Sequence, residues 1–194
     1  MASEKENGLL ARAASGDTEA FRLLFETHHA AMYRFAYRLT STVDAAEDIT
    51  QECFLRLMRS PGFDQDRGSL RQYLYGMVRN LVRQRRQANG REVPWEDDEE
   101  DGPAAGPDPM ISAELSEGVQ AAIAALPPLQ REAIVLFELE DLSLEETAAV
   151  VGTDVGTLKS RLYRARERLR RSLAPYRSYS RTPESRGAIH ESTE

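Results

Sequence analysis

Thr157, Lys159, Ser160, Arg161, Tyr163 and Arg164 fall within one short stretch and carry donors of the kinds that read nucleic acid. Arginine and lysine can donate to guanine edges, and serine or tyrosine can hydrogen-bond bases or phosphates. Val155, Leu158, Leu162, Ala165 and Leu169 recur between them at three- and four-residue steps, the pattern of a helix with one buried stripe. The six polar residues lie off that stripe. Arg166, Arg168, Arg170 and Arg171 follow and are better placed for a phosphate backbone than for bases.

What precedes this helix decides how to read it. Ser143 and Glu146 form a capping box for a short helix carrying Leu144, Thr147, Ala148 and Val151, and Gly152 suits its left-handed C-terminal position. Thr153 and Asp154 make the turn. A short helix, a glycine-bearing turn and a basic second helix define a helix-turn-helix, whose second helix enters the major groove. The alternative is an ordinary solvated basic face, which the capped helix and turn disfavour.

A second basic group lies upstream. Arg79, Arg83 and Arg86 share a helix face, while Leu70, Tyr73, Leu74, Met77, Val78 and Leu81 form the apolar side. One side is therefore expected to pack and the other to bind a partner. Ser69 and Gln72 box the start of this helix, after a loop from Ser60 to Gly68 that contains Pro61 and Gly62. Before the loop, Asp17 is expected to cap a helix with Phe21, Leu24, Phe25, Met32, Phe35 and Leu39 inward. Asp44 and Glu47 are expected to box a second one with Ile49, Cys53 and Leu57 inward. Asp48, Gln51, Glu52 and Leu55 then face elsewhere. Downstream, a helix is expected from near Ile111 to Leu126, where Pro127 and Pro128 stop it, and another through Ala133, Ile134, Leu136, Phe137 and Leu139.

The net charge of −7 over 194 residues argues at first against a polyanionic partner. Its distribution reverses that impression. Residues 79–91 hold five arginines and no acid, and 155–173 hold seven basic residues against Glu167, whereas 92–117 hold ten acids and no base. Four prolines and three glycines between Gly90 and Pro109, with the run Glu96 to Asp101, mark that acidic segment as a linker. Trp95 within it has two readings, docking on its own domain or on a partner.

The expected fold is all-α, with two small helical domains joined by a flexible acidic linker and a helix-turn-helix in the second. The boundaries are 9–91, 92–111 (linker) and 112–174, with 175–194 a disordered tail. No apolar run approaches the ~20 residues of a membrane-spanning helix, and MASEKENG does not read as a secretion signal, so a cytoplasmic protein is expected. Cys53 at an apolar helical position reads as a buried structural thiol. There is no phosphate-binding glycine loop with lysine and no G-x-S-x-G, so no enzyme is expected. His28 and His29 point to different helix sides without a cysteine cluster, so neither a metal site nor a cofactor is expected.

The stretch from Leu126 to Leu169, with LPPLQRE, EETA and GTLKSRLYRAR in order, closely resembles the minus-thirty-five-binding domain of extracytoplasmic-function sigma factors of bacterial RNA polymerase. FRLLFETHHAAMYRFAYRL, DAAEDITQECFLRL and YLYGMVRNLVRQRR resemble that family's core-binding and minus-ten-binding helices. The likeness spans roughly residues 9–91 and 112–173. It implies a factor that binds core polymerase, at the clamp of the largest subunit and the flap of the second, and directs promoter-specific initiation. Asp48, Gln51, Glu52 and Leu55 would meet the clamp. Thr157, Lys159, Ser160, Arg161, Tyr163 and Arg164 would read the minus-thirty-five element. Arg79, Asn80, Arg83 and Arg86 would meet the upstream part of the minus-ten element, with Phe63 and Asp64 helping to hold an unstacked base. Phe63 has a second reading, sealing its loop against the core.

The acidic linker likewise has two, a mimic of a phosphate backbone inside the polymerase or a plain tether. An anti-sigma factor is a further implied partner, and no membrane insertion is implied. Leu158 stands where many relatives have valine, and Tyr75 and Gly76 stand where the family usually has an apolar pair. A different class of protein, a stand-alone helix-turn-helix repressor or activator, would bind its operator tightly without polymerase.

Overall fold

The computed structural model describes residues 2–59, 62–88, 90 and 113–174. Pro61, Trp95, the acidic run and the C-terminal tail lie outside the described residues. No strand occurs among those described.

Four helices build the first unit: α1 (Ala2–Ala14), α2 (Thr18–Thr40), α3 (Val43–Arg59) and α4 (Leu70–Ala88). Asp17 caps α2 as expected, its Oδ1 accepting from the backbone N–H groups of Glu19 and Ala20, both at 3.1 Å. The Ala20 N–H first, then the Arg12 guanidinium, holds the Asp17 carboxyl below its ordinary range. Ser69 and Gln72 form the expected box. The Ser69 N–H donates to Gln72 Oε1 at 2.8 Å, and the Gln72 N–H to Ser69 Oγ at 3.3 Å. The interior collects Leu24, Met32, Phe35, Leu39, Ile49, Cys53, Leu57, Leu74 and Val78.

Two expectations need correction here. Asp44 and Glu47 do not box α3, because the helix already begins at Val43, with the Thr42 carbonyl accepting from the Ala46 N–H at 3.1 Å. Asp44 is thus inside the first turn, where its charge still suits the helix dipole. Moreover α1, a helix the sequence reading did not name, precedes the Asp17-capped helix and seats Leu10 and Ala13 in the core.

The second unit comprises α5 (Ala113–Ala124), α6 (Pro128–Ile134), a π-helical turn (Val135–Leu139), α7 (Leu144–Val151) and α8 (Val155–Ser172). The π turn replaces the regular helix expected through Leu139. The capping box is present at α7, with the Glu146 N–H donating to Ser143 Oγ at 3.1 Å and the Ser143 N–H to Glu146 Oε2 at 2.8 Å. Gly152 closes α7 at φ +68°, the left-handed conformation that glycine adopts without a Cβ penalty. Asp154 then caps α8 through the Thr157 N–H at 2.9 Å. Leu158, Leu162 and Ala165 are buried against α6 and α7, a burial worth ~1.5–3 kcal/mol for each leucine. That stripe fixes which face of α8 remains outward.

The units pack together, α4 on α7 and α2 on α5, α6 and the π turn. The basic face of α4 is consequently part of an interior contact, contrary to the expectation of an open binding face. Tyr75, at the position where the family pattern is broken, is fully buried, its ring edge-on to Phe35 at 5.1 Å. Its hydroxyl donates to Glu140 Oε2 at 2.8 Å. An apolar residue there would leave the Glu140 carboxylate one donor short.

Candidate nucleic-acid and polymerase interfaces

Helix α8 presents its expected residues unevenly. Lys159, Ser160 and Arg164 are exposed, and Tyr163 is 68% exposed, the most open large hydrophobic side chain among the described residues. Thr157 is half-buried and donates from Oγ1 to Asp154 Oδ2 at 2.7 Å. That bond, with the Thr157 backbone N–H, holds the Asp154 carboxyl below its ordinary range. Arg161 is 9% exposed and so lies mostly within the fold rather than on the outer face. Arg166, next along the helix, pairs with Glu138 at 2.5 Å and lies over the Phe137 ring. The i,i+4 steps of the helix place Lys159, Tyr163 and Arg164 away from the buried leucines, an arrangement able to enter a groove.

Asp48, Gln51, Glu52 and Leu55 come together. With Leu81 and Arg85 they line an open groove of about 540 Å³ between α3 and α4. Asp48 pairs with Arg85 at 3.0 Å and Glu52 with Arg56 at 2.7 Å, while Leu55 is 42% exposed at the rim. An apolar residue ringed by charges is suited to a protein partner.

The residues expected at the minus-ten element are the most altered by the tertiary fold. Asn80 is exposed and Arg83 half-buried. Arg86 donates to the Leu39 carbonyl at 2.8 Å. Arg79 is buried, its Nε donating to Glu132 Oε2 of α6 at 2.6 Å. Burial pushes the Glu132 carboxyl upward, and Arg79 opposes that shift. In the loop, Asp64 caps a 3-10 turn (Gln65–Arg67) through the Asp66 N–H at 3.0 Å. Phe63 is half-buried, its ring 5.6 Å from that of Tyr73.

Sequence reasoning missed the acidic partners of this basic face. Glu140 is 2% exposed and receives Arg38 Nη1 at 2.6 Å besides the Tyr75 hydroxyl, with Arg34 at 3.6 Å. Arg71 donates to its backbone carbonyl. The only local signal was a pair of glutamates, Glu132 and Glu140, on either side of the apolar run from Ala133 to Phe137.

Comparison with known proteins defines the class. Residues 24–92 match the family described as Sigma-70 region 2, and residues 116–169 match Sigma-70, region 4. The ECF RNA polymerase sigma factor SigE of Mycolicibacterium smegmatis is 36% identical, over 91% of this chain and 71% of that protein. SigW of Bacillus subtilis is 32% identical, over 81% and 91%. The sigma factor RpoE of Bartonella quintana, solved with the anti-sigma factor NepR, superposes with TM-score 0.63 at 31% identity, covering 79% of this chain and 96% of that one. CnrH, solved with the cytosolic domain of CnrY, gives 0.64 at 27% identity, covering 86% and 96%.

The chain belongs to the extracytoplasmic-function sigma factors of RNA polymerase, the factors of promoter-specific transcription initiation. That membership decides against a stand-alone repressor. Among the described residues no helix is long and apolar enough to cross a membrane.

Proposed function

We propose a division of labour within this sigma factor. Residues 9–91 act as sigma domain 2, binding core polymerase and the minus-ten element, and 112–174 act as sigma domain 4, reading the minus-thirty-five element. Lys159, Tyr163 and Arg164 carry most of the upstream reading, with Thr157, Ser160 and Arg161 supporting the helix and its approach. The observation that carries this is the outward set on α8, held by the buried Leu158 and Leu162 behind it. Asp48, Gln51, Glu52 and Leu55 hold the clamp of the largest polymerase subunit, and domain 4 meets the flap of the second. Charge complementarity with basic groups on the clamp would speed and orient docking. Arg79, Asn80, Arg83 and Arg86, with Phe63 and Asp64, serve the minus-ten element.

The protein works in the cytoplasm, is not itself an enzyme, and is restrained by an anti-sigma factor, the kind of partner with which RpoE of Bartonella quintana was solved. Binding to purified core polymerase tests the groove. Leu55→Asp combined with Gln51→Ala is expected to weaken core binding at least about tenfold while helicity is kept, since docking would have to desolvate a carboxylate where an apolar side chain stood. Affinity equal to wild type would reject the groove as the contact.

A further inference from the structure

The loop that leads into α4 is fixed at both of its described ends. At Gly62 an added Cβ would lie 3.3 Å from Tyr73 Oη, and the neighbouring Phe63 ring rests 5.6 Å from the ring of the same tyrosine. At the other end Gly68 adopts φ +145°, where a Cβ would collide with Gln72 Oε1, and the Ser69–Gln72 box follows at once. The middle is held differently. Gln65, Asp66 and Arg67 are exposed, and their local support is Asp64, which accepts from the Asp66 N–H at 3.0 Å and, through its carbonyl, from the Arg67 N–H at 3.1 Å. Among the described residues, the hydrogen bond that ties this middle to another element comes from 58 residues upstream. Asn7 Nδ2, on α1, donates to Gln65 Oε1 at 2.7 Å.

Helix α1 is built to act as a fixed post. Leu10 and Ala13 are buried in the interior, and Glu6, beside Asn7, lies 3.2 Å from Nε2 of the buried His28 on α2. Asn7 adds little to the stability of that post. Its Oδ1 is buried with no hydrogen-bond partner among the described residues, and an unpaired buried acceptor costs as much as a hydrogen bond contributes, or more. An apolar side chain would escape that cost. What the amide secures instead is the geometry of an exposed turn that has no packing to hold it.

We infer that Asn7 is a positioning residue for promoter opening, which through Gln65 holds the Phe63–Gly68 loop in the shape that receives an unstacked base. The inference rests on the assignment of Phe63 and Asp64 to the minus-ten element made above. Extruding a base from the duplex costs stacking and pairing, and a pocket offsets that cost best when it needs no ordering of its own. A loosened loop must be ordered at the moment of capture. Losing the Asn7 amide therefore slows opening, while the outer face of α8 and the α3–α4 groove are untouched.

Hydrogen exchange on the full chain and promoter opening by the holoenzyme, each measured with Asn7→Leu, Gln65→Leu and the double variant, test this together. Asn7→Leu should speed exchange of the Asp66 and Arg67 amides about fivefold, the population change that one net hydrogen bond is worth, while the Leu74 and Val78 amides of α4 exchange as in wild type. On a promoter selected with the wild-type holoenzyme, the rate at which thymines of the minus-ten region become reactive to permanganate should fall by about the same factor. Thermal midpoint, core binding and recognition of the upstream element should not fall. Because both side chains act through one bond, the double variant should open the promoter no more slowly than Gln65→Leu alone.

Unchanged exchange in Asn7→Leu would overturn the inference, as would losses in the single variants that multiply in the double, or slow opening that comes with a lowered thermal midpoint. Faster exchange with opening at the wild-type rate would instead remove the minus-ten assignment of the loop and leave Asn7 as its anchor.

Discussion

Arg86 and Arg131, from opposite sides of the contact between the two units, donate to the same acceptor, the Leu39 carbonyl oxygen, at 2.8 and 3.2 Å. Two guanidiniums on one oxygen repel. Burial first, and Arg86 second, pull the Arg131 pKa down to about 10, so it remains charged at neutral pH. What keeps it there is its other hand, since Arg131 Nη2 donates to the carbonyls of Ala124 and Leu126, closing the C-terminal end of α5. Arg131→Met keeps the stem and removes these donors. It should destabilise the protein by ~1–3 kcal/mol, the cost of leaving buried acceptors unmade. Urea unfolding followed by circular dichroism measures it, and an unchanged midpoint would contradict the capping role.

On α8, Lys159→Ala and Arg164→Ala should each weaken recognition of the upstream promoter element by ~1–3 kcal/mol, the worth of a good base contact. Arg170→Ala, on a residue paired with Glu167 at 2.8 Å near the helix end, should instead weaken binding evenly across sequences and lower the salt slope by ~1. Holoenzyme competition between fragments with intact and scrambled upstream elements distinguishes these outcomes. A uniform loss for Lys159→Ala would show that it contacts backbone rather than bases.

The cap on α7 is a local test of the helix-turn-helix. Ser143→Ala removes the acceptor of the Glu146 N–H and should cost about 1 kcal/mol. A lowered thermal midpoint is the expected result. No change would mean that packing of Thr147, Ala148 and Val151 holds the helix unaided.

His28 is buried beside Glu6, with Nε2 3.2 Å from its carboxylate, and burial outweighs Glu6 in lowering the histidine pKa. The unfolded chain therefore takes up the proton first. The stability contributed by neutral His28 is complete above the unfolded value of about 6.5 and is lost as the pH falls from there toward the lower folded value. Thermal midpoints between pH 7.5 and 5.5 should fall more steeply for wild type than for His28→Leu. Parallel curves would mean that other groups govern the acid limb.

Burial pushes the Cys53 thiol up to about 12, so the thiolate is scarce at pH 8. Alkylation by iodoacetamide should be slow in the native protein and fast in denaturant. Rapid native modification would show that the α3–α4 interior opens readily.

The parts of this fold that were legible in sequence are those encoded locally. Asp17, the Ser69–Gln72 and Ser143–Glu146 pairs and Gly152 each act within three or four residues, so type and spacing were enough. Asp44 and Glu47 had the right spacing but lie one step inside α3, a shift that spacing cannot reveal. Helix α1 lacked a clear apolar stripe and is held by tertiary contacts of Leu10 and Ala13. The contact between units was hidden because Arg79 and Glu132 are 53 residues apart and each reads alone as a solvated or DNA-facing charge. On α8 the outward residues were legible from the leucine stripe. Arg161 was not, since its burial depends on how neighbouring helices cover its flank.

The most direct measurement is run-off transcription with purified core polymerase, the full chain and a library of genomic fragments. Discrete transcripts that depend on added protein, and whose yield falls with Lys159→Ala at fragments bearing the upstream element, are expected. Core polymerase that assembles with the chain yet starts no protein-dependent RNA from any fragment would contradict the promoter-recognition role.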